Sequence, residues 1–284
     1  MQTLRKIRVS LLLLLASVLN SGAITHAACD GTPGPSGTVE LQVGSTKRAF
    51  LLRLPSGYDA RSPRPAVFAF HGFTMNAHLM ESLVDLTEAW PEALAIYPQG
   101  LLRQFETLPV GSQPGWQVTA GELGDRDLVF IDTMLAWLRE NHCLDEKKVY
   151  ALGYSNGAFF SHLLGCVRPD AIAGLAAAAG GALCTPTRPR PVILSHGIGD
   201  TLVDYEQGVA AARVWARSDG CGTPPENESA GCAQAGSCTN APVILCTYDG
   251  GHTYDNSFTG QAVQFFKSPG LVGNVTADKS NSSQ

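Results

Sequence analysis

The chain has 284 residues, 44% of them hydrophobic and 16% charged, with a net charge of −5. That much apolar material over that length can bury a substantial core, and length alone would allow one domain or two. The acidic balance gives no reason to expect nucleic acid or an anionic membrane as partner.

In chain order, Arg5, Lys6 and Arg8 precede an uncharged run over residues 9–19, and small residues follow near Thr25-His26-Ala27-Ala28. This is the layout of a secretory signal peptide cleaved after Ala27, and the run is too short for a spanning helix. Removing residues 1–27 takes away three positive charges and no negative ones, so −5 becomes −8. All eight cysteines, Cys29, Cys143, Cys166, Cys184, Cys221, Cys232, Cys238 and Cys246, remain in the mature chain. An even number fits disulfides in an oxidising compartment, and no CxxC or paired Cys/His spacing argues for zinc. A lipid-attachment site is the competing reading of Cys29, against which His26 stands where such a signal normally has Leu.

Apolar runs at 39–43 and 48–54 flank Gly44-Ser45 and predict an antiparallel hairpin. Later runs at 66–70, 94–97, 149–152, 172–178, 192–195 and 243–247 predict buried parallel strands joined by crossover helices. The clearest helix covers 122–141, with Leu128, Ile131, Met134, Leu135 and Leu138 on one face. The fold class is therefore α/β, with a mostly parallel central sheet and helices between the strands. Three segments break the pattern. Residues 99–121, rich in Gly, Pro and Gln around an isolated Trp116, predict a long loop above the sheet. Residues 221–240 predict a disulfide-tied excursion, and 267–284 lose hydrophobicity and predict a disordered tail. The domain plan is a signal peptide at 1–27, one catalytic domain at 28–267 and a tail at 268–284.

Gly153-Tyr154-Ser155-Asn156-Gly157 lies between a strand-like run, 148–152, and a helix-like run, 158–164. At such a turn G-x-S-x-G is a nucleophile elbow, whose glycines allow the sharp bend that leaves the serine hydroxyl exposed above the sheet. A base and an acid should follow in the order Ser, then Asp or Glu, then His. His252, on the glycine-rich loop after the last strand, is the candidate base. Asp200, following the strand 192–195, is the favoured acid, to hold the imidazole tautomer and stabilise the imidazolium. Asp204 is the alternative, with the further option of capping a helix that begins near Tyr205. The oxyanion needs backbone donors: the amide of Asn156 and, from the loop after 66–70, that of Phe73 as first choice and Thr74 as second. The helix at 122–141 ends by Cys143 and the helix after Ser155 ends near Cys166, both on the side of the sheet away from the elbow. That topology predicts a Cys143–Cys166 disulfide.

His71-Gly72 after a strand, Gly153-Tyr154-Ser155-Asn156-Gly157-Ala158, His196-Gly197-x-x-Asp200 and Gly250-Gly251-His252-Thr253 together resemble the secreted polyhydroxybutyrate depolymerase and feruloyl esterase family, over roughly residues 37–266. The resemblance implies an α/β-hydrolase fold, a triad of Ser155, Asp200 and His252 and an oxyanion hole at the His71-Gly72 loop. No cofactor is expected. Two positions depart from the family pattern, Tyr254 where Trp is frequent and Asp204 where Pro is frequent. Three esters are open: feruloyl groups on plant xylan, which lead, acetyl groups on xylan, and hydroxyalkanoate oligomers. Trp116 and Tyr254 are the candidate aromatic wall for a phenolic acid, although a lone Trp in a long loop is as often the plug of that loop's own core. A monomer is expected. From a different class, a catalytically inert hydrolase fold used for binding is disfavoured by the intact triad. Asn227, Asn274 and Asn281 stand in glycosylation sequons that matter only in a host that uses them.

Overall fold

A computed structural model describes residues 29–225 and 229–270. The predicted signal peptide, nearly all of the predicted tail and the three sequon asparagines lie outside them.

The strands are β1 (Gly37–Val43), β2 (Thr46–Arg53), β3 (Arg64–Phe70), β4 (Leu94–Pro98), β5 (Leu101–Arg103), β6 (Gln113–Gly115), β7 (Leu144–Tyr154), β8 (Gly174–Ala178), β9 (Val192–Gly197), β10 (Gly231–Gln234) and β11 (Val243–Tyr248). Nine of them form one sheet in the order β1-β2-β4-β3-β7-β8-β9-β11-β10. β4, β3, β7, β8, β9 and β11 run parallel, while the β1–β2 hairpin and β10 pair antiparallel at the two edges. The helices are α1 (Ala77–Val84), α2 (Leu86–Ala89), α3 (Arg126–Asn141), α4 (Asn156–Val167), α5 (Tyr205–Ser218) and α6 (Phe258–Lys267). The α/β-hydrolase architecture expected from the sequence is present.

The central strands read as continuous apolar runs because both of their faces are covered. In β3, Ala66, Phe68 and Phe70 enter the core under α3, α4 and α5, while Val67 and Ala69 enter the core under α1, α2 and α6. β7 divides the same way, with Val149 and Ala151 on the first face and Tyr150 and Leu152 on the second. A parallel sheet buried on both faces exposes only its strand ends, so function has to be sought there.

A buried ion pair ties the hairpin edge to α3. Arg48 of β2 donates to Asp127 in the first turn of α3 at 2.9 Å, with both side chains at 1% exposure or less. The Arg48 guanidinium also lies 4.1 Å from the centre of the Phe130 ring. The predicted helix at 122–141 is helical only from Arg126, because Glu122–Asp125 form a 3₁₀ turn in which Leu123 and Gly124 are left-handed.

The four disulfides are Cys29–Cys143, Cys166–Cys184, Cys221–Cys238 and Cys232–Cys246, which corrects the predicted Cys143–Cys166 pair. Coil segments, which the topology of helices and strands leaves out, reach each cysteine. The chain before β1 lies along the end of α3, where the Pro35 carbonyl meets His142 Nε2 at 3.0 Å, and this sets Cys29 beside Cys143. The connection after β8 crosses α4 and sets Cys184 on Cys166. With its sulfur held by Cys143, Cys29 is not a lipid-attachment site. The other two bonds tie the 221–240 excursion, one of them across the β10–β11 pair.

Candidate active site

Ser155 sits between β7 and α4 with φ 52° and ψ −119°, a strained conformation for a residue bearing a side chain. The flanking glycines make the bend possible. A methyl on Gly157 would lie 2.1 Å from the Phe70 carbonyl oxygen, and one on Gly153 would lie 2.1 Å from the Gly157 carbonyl oxygen. The Ser155 amide donates to the Ala178 carbonyl at 2.8 Å, pinning the elbow to the end of β8.

His252, in the loop after β11, places Nε2 2.8 Å from Ser155 Oγ and Nδ1 2.8 Å from Asp200 Oδ2. Asp200 follows β9 and is fully buried, and its Oδ1 accepts from the amides of Leu202 and Val203, each at 3.0 Å. His196 Nε2 lies 2.9 Å from the Val203 carbonyl and 3.3 Å from Asp200 Oδ2. Burial lowers the pKa of His196, so it stays neutral and shares one N–H between these two oxygens. Asp204 is not brought to His252. It is the N-cap residue of α5 and makes no side-chain capping bond.

The amide of Asn156 is the first of α4, one of the N–H groups a helix cannot satisfy internally. In the facing loop, the Thr74 amide is spent on the Pro114 carbonyl at 3.1 Å, and Thr74 is left-handed at φ 72°. Of the two candidate donors in that loop, this leaves the Phe73 amide available to an oxyanion.

Trp116 and Tyr254 are not at the surface of the site. Trp116 is fully buried, stacked on Phe160 at 5.3 Å between ring centres, with its indole N–H donating to the His71 carbonyl at 3.0 Å. It plugs the core beneath the loop. Tyr254 is buried behind Tyr154, and its hydroxyl is paired with Thr259 Oγ1 at 2.9 Å.

Apart from Phe73, the wall comes from residues not singled out in the sequence. A cavity of about 680 Å³ opens over Ser155, and its lining includes Phe73, Phe105, Leu108, Val110, Phe159 and Leu202. Phe105 lies between β5 and β6, which pair as a two-stranded hairpin inside the predicted loop. Its ring meets that of Phe73 edge to face at 4.9 Å. The Arg103 guanidinium, ion-paired with Glu122 at 2.6 Å, lies 3.6 Å from the centre of the same ring. Tyr154, the residue before the serine, braces His252: its hydroxyl donates to the His252 carbonyl at 3.1 Å, and burial pushes its pKa up to about 12. Its position inside the G-x-S-x-G motif was the available signal.

Among the described residues no group of three or more His, Cys, Asp or Glu side chains could hold a metal ion, and no helix is long and apolar enough to cross a membrane. The arrangement suits acyl transfer through serine.

No protein-family model matches the chain. It is 28% identical over 250 residues to feruloyl esterase C of Emericella nidulans, a match that covers 84% of this chain and 90% of that one. A ferulic acid esterase of Anaeromyces mucronatus, solved with ferulic acid, superposes with a TM-score of 0.59 at 16% identity, over 84% of this chain and 91% of that one. An acetyl xylan esterase of Aspergillus awamori gives a TM-score of 0.63 at 16% identity, over 81% and 99%. By fold the chain is an α/β-hydrolase. Within that class it is feruloyl esterase-like, as the four motifs implied.

Proposed function

We propose that the chain is a secreted serine carboxylesterase that releases hydroxycinnamic acids such as ferulate from plant cell-wall xylan. The observation that carries this reading is the hydrogen-bonded series Ser155–His252–Asp200 opening into an apolar cleft with an aromatic wall. In acylation the Ser155 Oγ–carbonyl carbon bond forms as the hydroxyl proton passes to His252 Nε2. The carbonyl π electrons move onto oxygen, where the Phe73 and Asn156 amides receive the charge. Collapse breaks the ester C–O bond, and His252 returns the proton to the departing sugar oxygen. Water, deprotonated by the same imidazole, then bonds to the acyl carbon, and the Ser155 Oγ–carbon bond breaks as His252 returns the proton to Oγ. Asp200 holds the proton on Nδ1 throughout, so that Nε2 is free to accept.

The cleft volume falls within the range of pockets that enclose a ligand the size of a phenylpropenoid. An acetyl group would leave most of it empty, so ferulate leads over acetate and hydroxybutyrate oligomers. Methyl ferulate, p-nitrophenyl acetate and hydroxybutyrate trimer compared on one preparation test the order, with the highest kcat/KM expected for ferulate. A wild-type enzyme that cleaves the trimer and ignores ferulate overturns it. Ser155→Ala should remove on the order of 10⁶ of kcat while leaving the fold intact.

Four disulfides and esterase relatives support an extracellular site of action. Cleavage after Ala27 predicts a mature N-terminus at Ala28, which Edman sequencing of the exported protein checks. The working species is taken to be a monomer without cofactor, nucleic acid or membrane partner, and sedimentation equilibrium measures the first of these.

A further inference from the structure

The two proposed oxyanion donors lie on separate segments, Phe73 after β3 and Asn156 at the start of α4, and an oxyanion hole works only if both point at one spot. Trp116 touches both segments. Its indole N–H donates to the His71 carbonyl, two residues before Phe73. Its backbone amide donates to Asn156 Oδ1 at 2.7 Å, and its carbonyl accepts from Asn156 Nδ2 at 3.0 Å. The strand leading into it, β6, adds a further tie, since the Pro114 carbonyl takes the amide of Thr74, next to Phe73. Gly115 fills the gap between the segments so closely that an added methyl would lie 2.8 Å from Asn156 Oδ1 and 3.0 Å from the Phe73 ring. Trp116, His71 and Asn156 are buried, where hydrogen bonds have little water to compete with them and set geometry firmly.

We infer that Trp116, with Gly115 and the Asn156 side chain, is a positioning residue that sets the separation and aim of the two oxyanion donors. It acts through His71 and Asn156 and does not touch substrate. The inference rests on Ser155 being the nucleophile of an ester hydrolase.

The test is Trp116→Phe, which retains a ring to stack on Phe160 and removes the indole N–H. Rates are taken per active site titrated. kcat should fall about 10- to 100-fold, and by the same factor for p-nitrophenyl acetate and methyl ferulate, because donor misalignment affects every ester. KM should stay within about threefold. Phenylboronic acid separates positioning from simple loosening. The Ser155 Oγ–boron bond forms as the hydroxyl proton passes to His252, and the tetrahedral adduct carries an oxygen where the oxyanion would sit. Its affinity should weaken in parallel with kcat, whereas inhibition by free ferulic acid should change less than about twofold. A purely structural Trp116 would lower thermal stability and leave boronate affinity per active site unchanged. If Trp116→Phe does not fold, Gly115→Ala wedges the same two segments and carries the same expectation. Unchanged kcat per site in the folded variant, or equal loss of boronate and ferulate binding, overturns the inference. A wild-type protein that hydrolyses none of the esters overturns the esterase reading itself.

Discussion

Asp200→Asn is the sharpest test of the proposed triad, because the structure dictates which way the new amide must face. Asp200 Oδ1 accepts two backbone amides, from Leu202 and Val203, and Oδ2 faces His252 Nδ1. With its oxygen kept toward the two backbone amides, the substituted side chain turns its NH₂ group toward His252. The imidazole must then accept at Nδ1 and carry its proton on Nε2, where it can no longer take the proton of Ser155. Flipping the side-chain amide would restore the tautomer, but it would set NH₂ against two buried N–H groups. Each unsatisfied donor costs about 1–3 kcal/mol, so the flip costs roughly 2–6 kcal/mol. A wrong tautomer lowers kcat by about 10⁴ in comparable triads, or about 5 kcal/mol. The assay is initial-rate hydrolysis of p-nitrophenyl acetate by Asp200→Asn and Asp204→Asn, each checked for a native melting temperature. Asp204, whose side chain makes no capping bond, should cost less than about twofold. The flip sets the floor of the loss at about 30-fold, so a folded Asp200→Asn enzyme that keeps more than about 10% of kcat would refute the assignment.

Phe105→Ala removes the ring that meets Phe73 edge to face in the cleft wall, so methyl ferulate should lose about 0.5–1.5 kcal/mol, or roughly two- to twelvefold in kcat/KM, while p-nitrophenyl acetate is nearly unaffected. Equal losses on the two esters would count against an aromatic acyl site there. Asp127→Asn leaves the buried Arg48 without its counter-charge and should cost about 3–5 kcal/mol. A calorimetric melt should shift down by roughly 6–20 °C, and a shift under about 2 °C would contradict the argument. Asp219 is fully buried, with Oδ2 unpartnered, and burial pushes its pKa up from 3.8 to about 7 against the opposing pull of Arg190. Between these values the folded chain holds a proton that the unfolded chain has lost. The stabilisation is therefore complete below about pH 4 and disappears as pH rises through about 7, by up to about 4 kcal/mol at three pKa units. Asp219→Asn should flatten that decline in melts run from about pH 5 to 8, and parallel curves for the two proteins would argue against it.

The candidate site was legible wherever chemistry constrains local sequence. The elbow needs two glycines around a serine, between a strand and a helix, and all of these are short-range features. Asp200 and His252 followed from chain order and from their places after strands, since a parallel sheet brings its strand ends together. The aromatic wall was not legible, because a sequence does not distinguish a ring that lines a cleft from one that fills a core. Trp116 and Phe105 share one segment, and the larger ring went inward, where it removes more apolar surface from water. The β5–β6 hairpin leaves no trace in the pattern because strands of three residues carry no measurable alternation. The cysteine pairing depended on coil segments whose paths have no periodic signature.

The crosslinks bear unequally on how this chain holds its shape. Cys29–Cys143 closes a loop of 114 residues, and the other three close loops of 14 to 18. By chain-entropy reasoning the long closure restrains the unfolded ensemble by about 4.7 kcal/mol and each short one by about 3. Even with imperfect additivity, their combined effect is on the order of 10 kcal/mol, comparable to the whole net stability of an ordinary domain at about 5–15. With its thiols reduced, the same sequence would stand near the threshold of folding, and the proposed catalytic centre, assembled from four distant segments, would lose its geometry with the fold. Activity is thereby made conditional on oxidation, through chain entropy alone and without any cysteine at the active site.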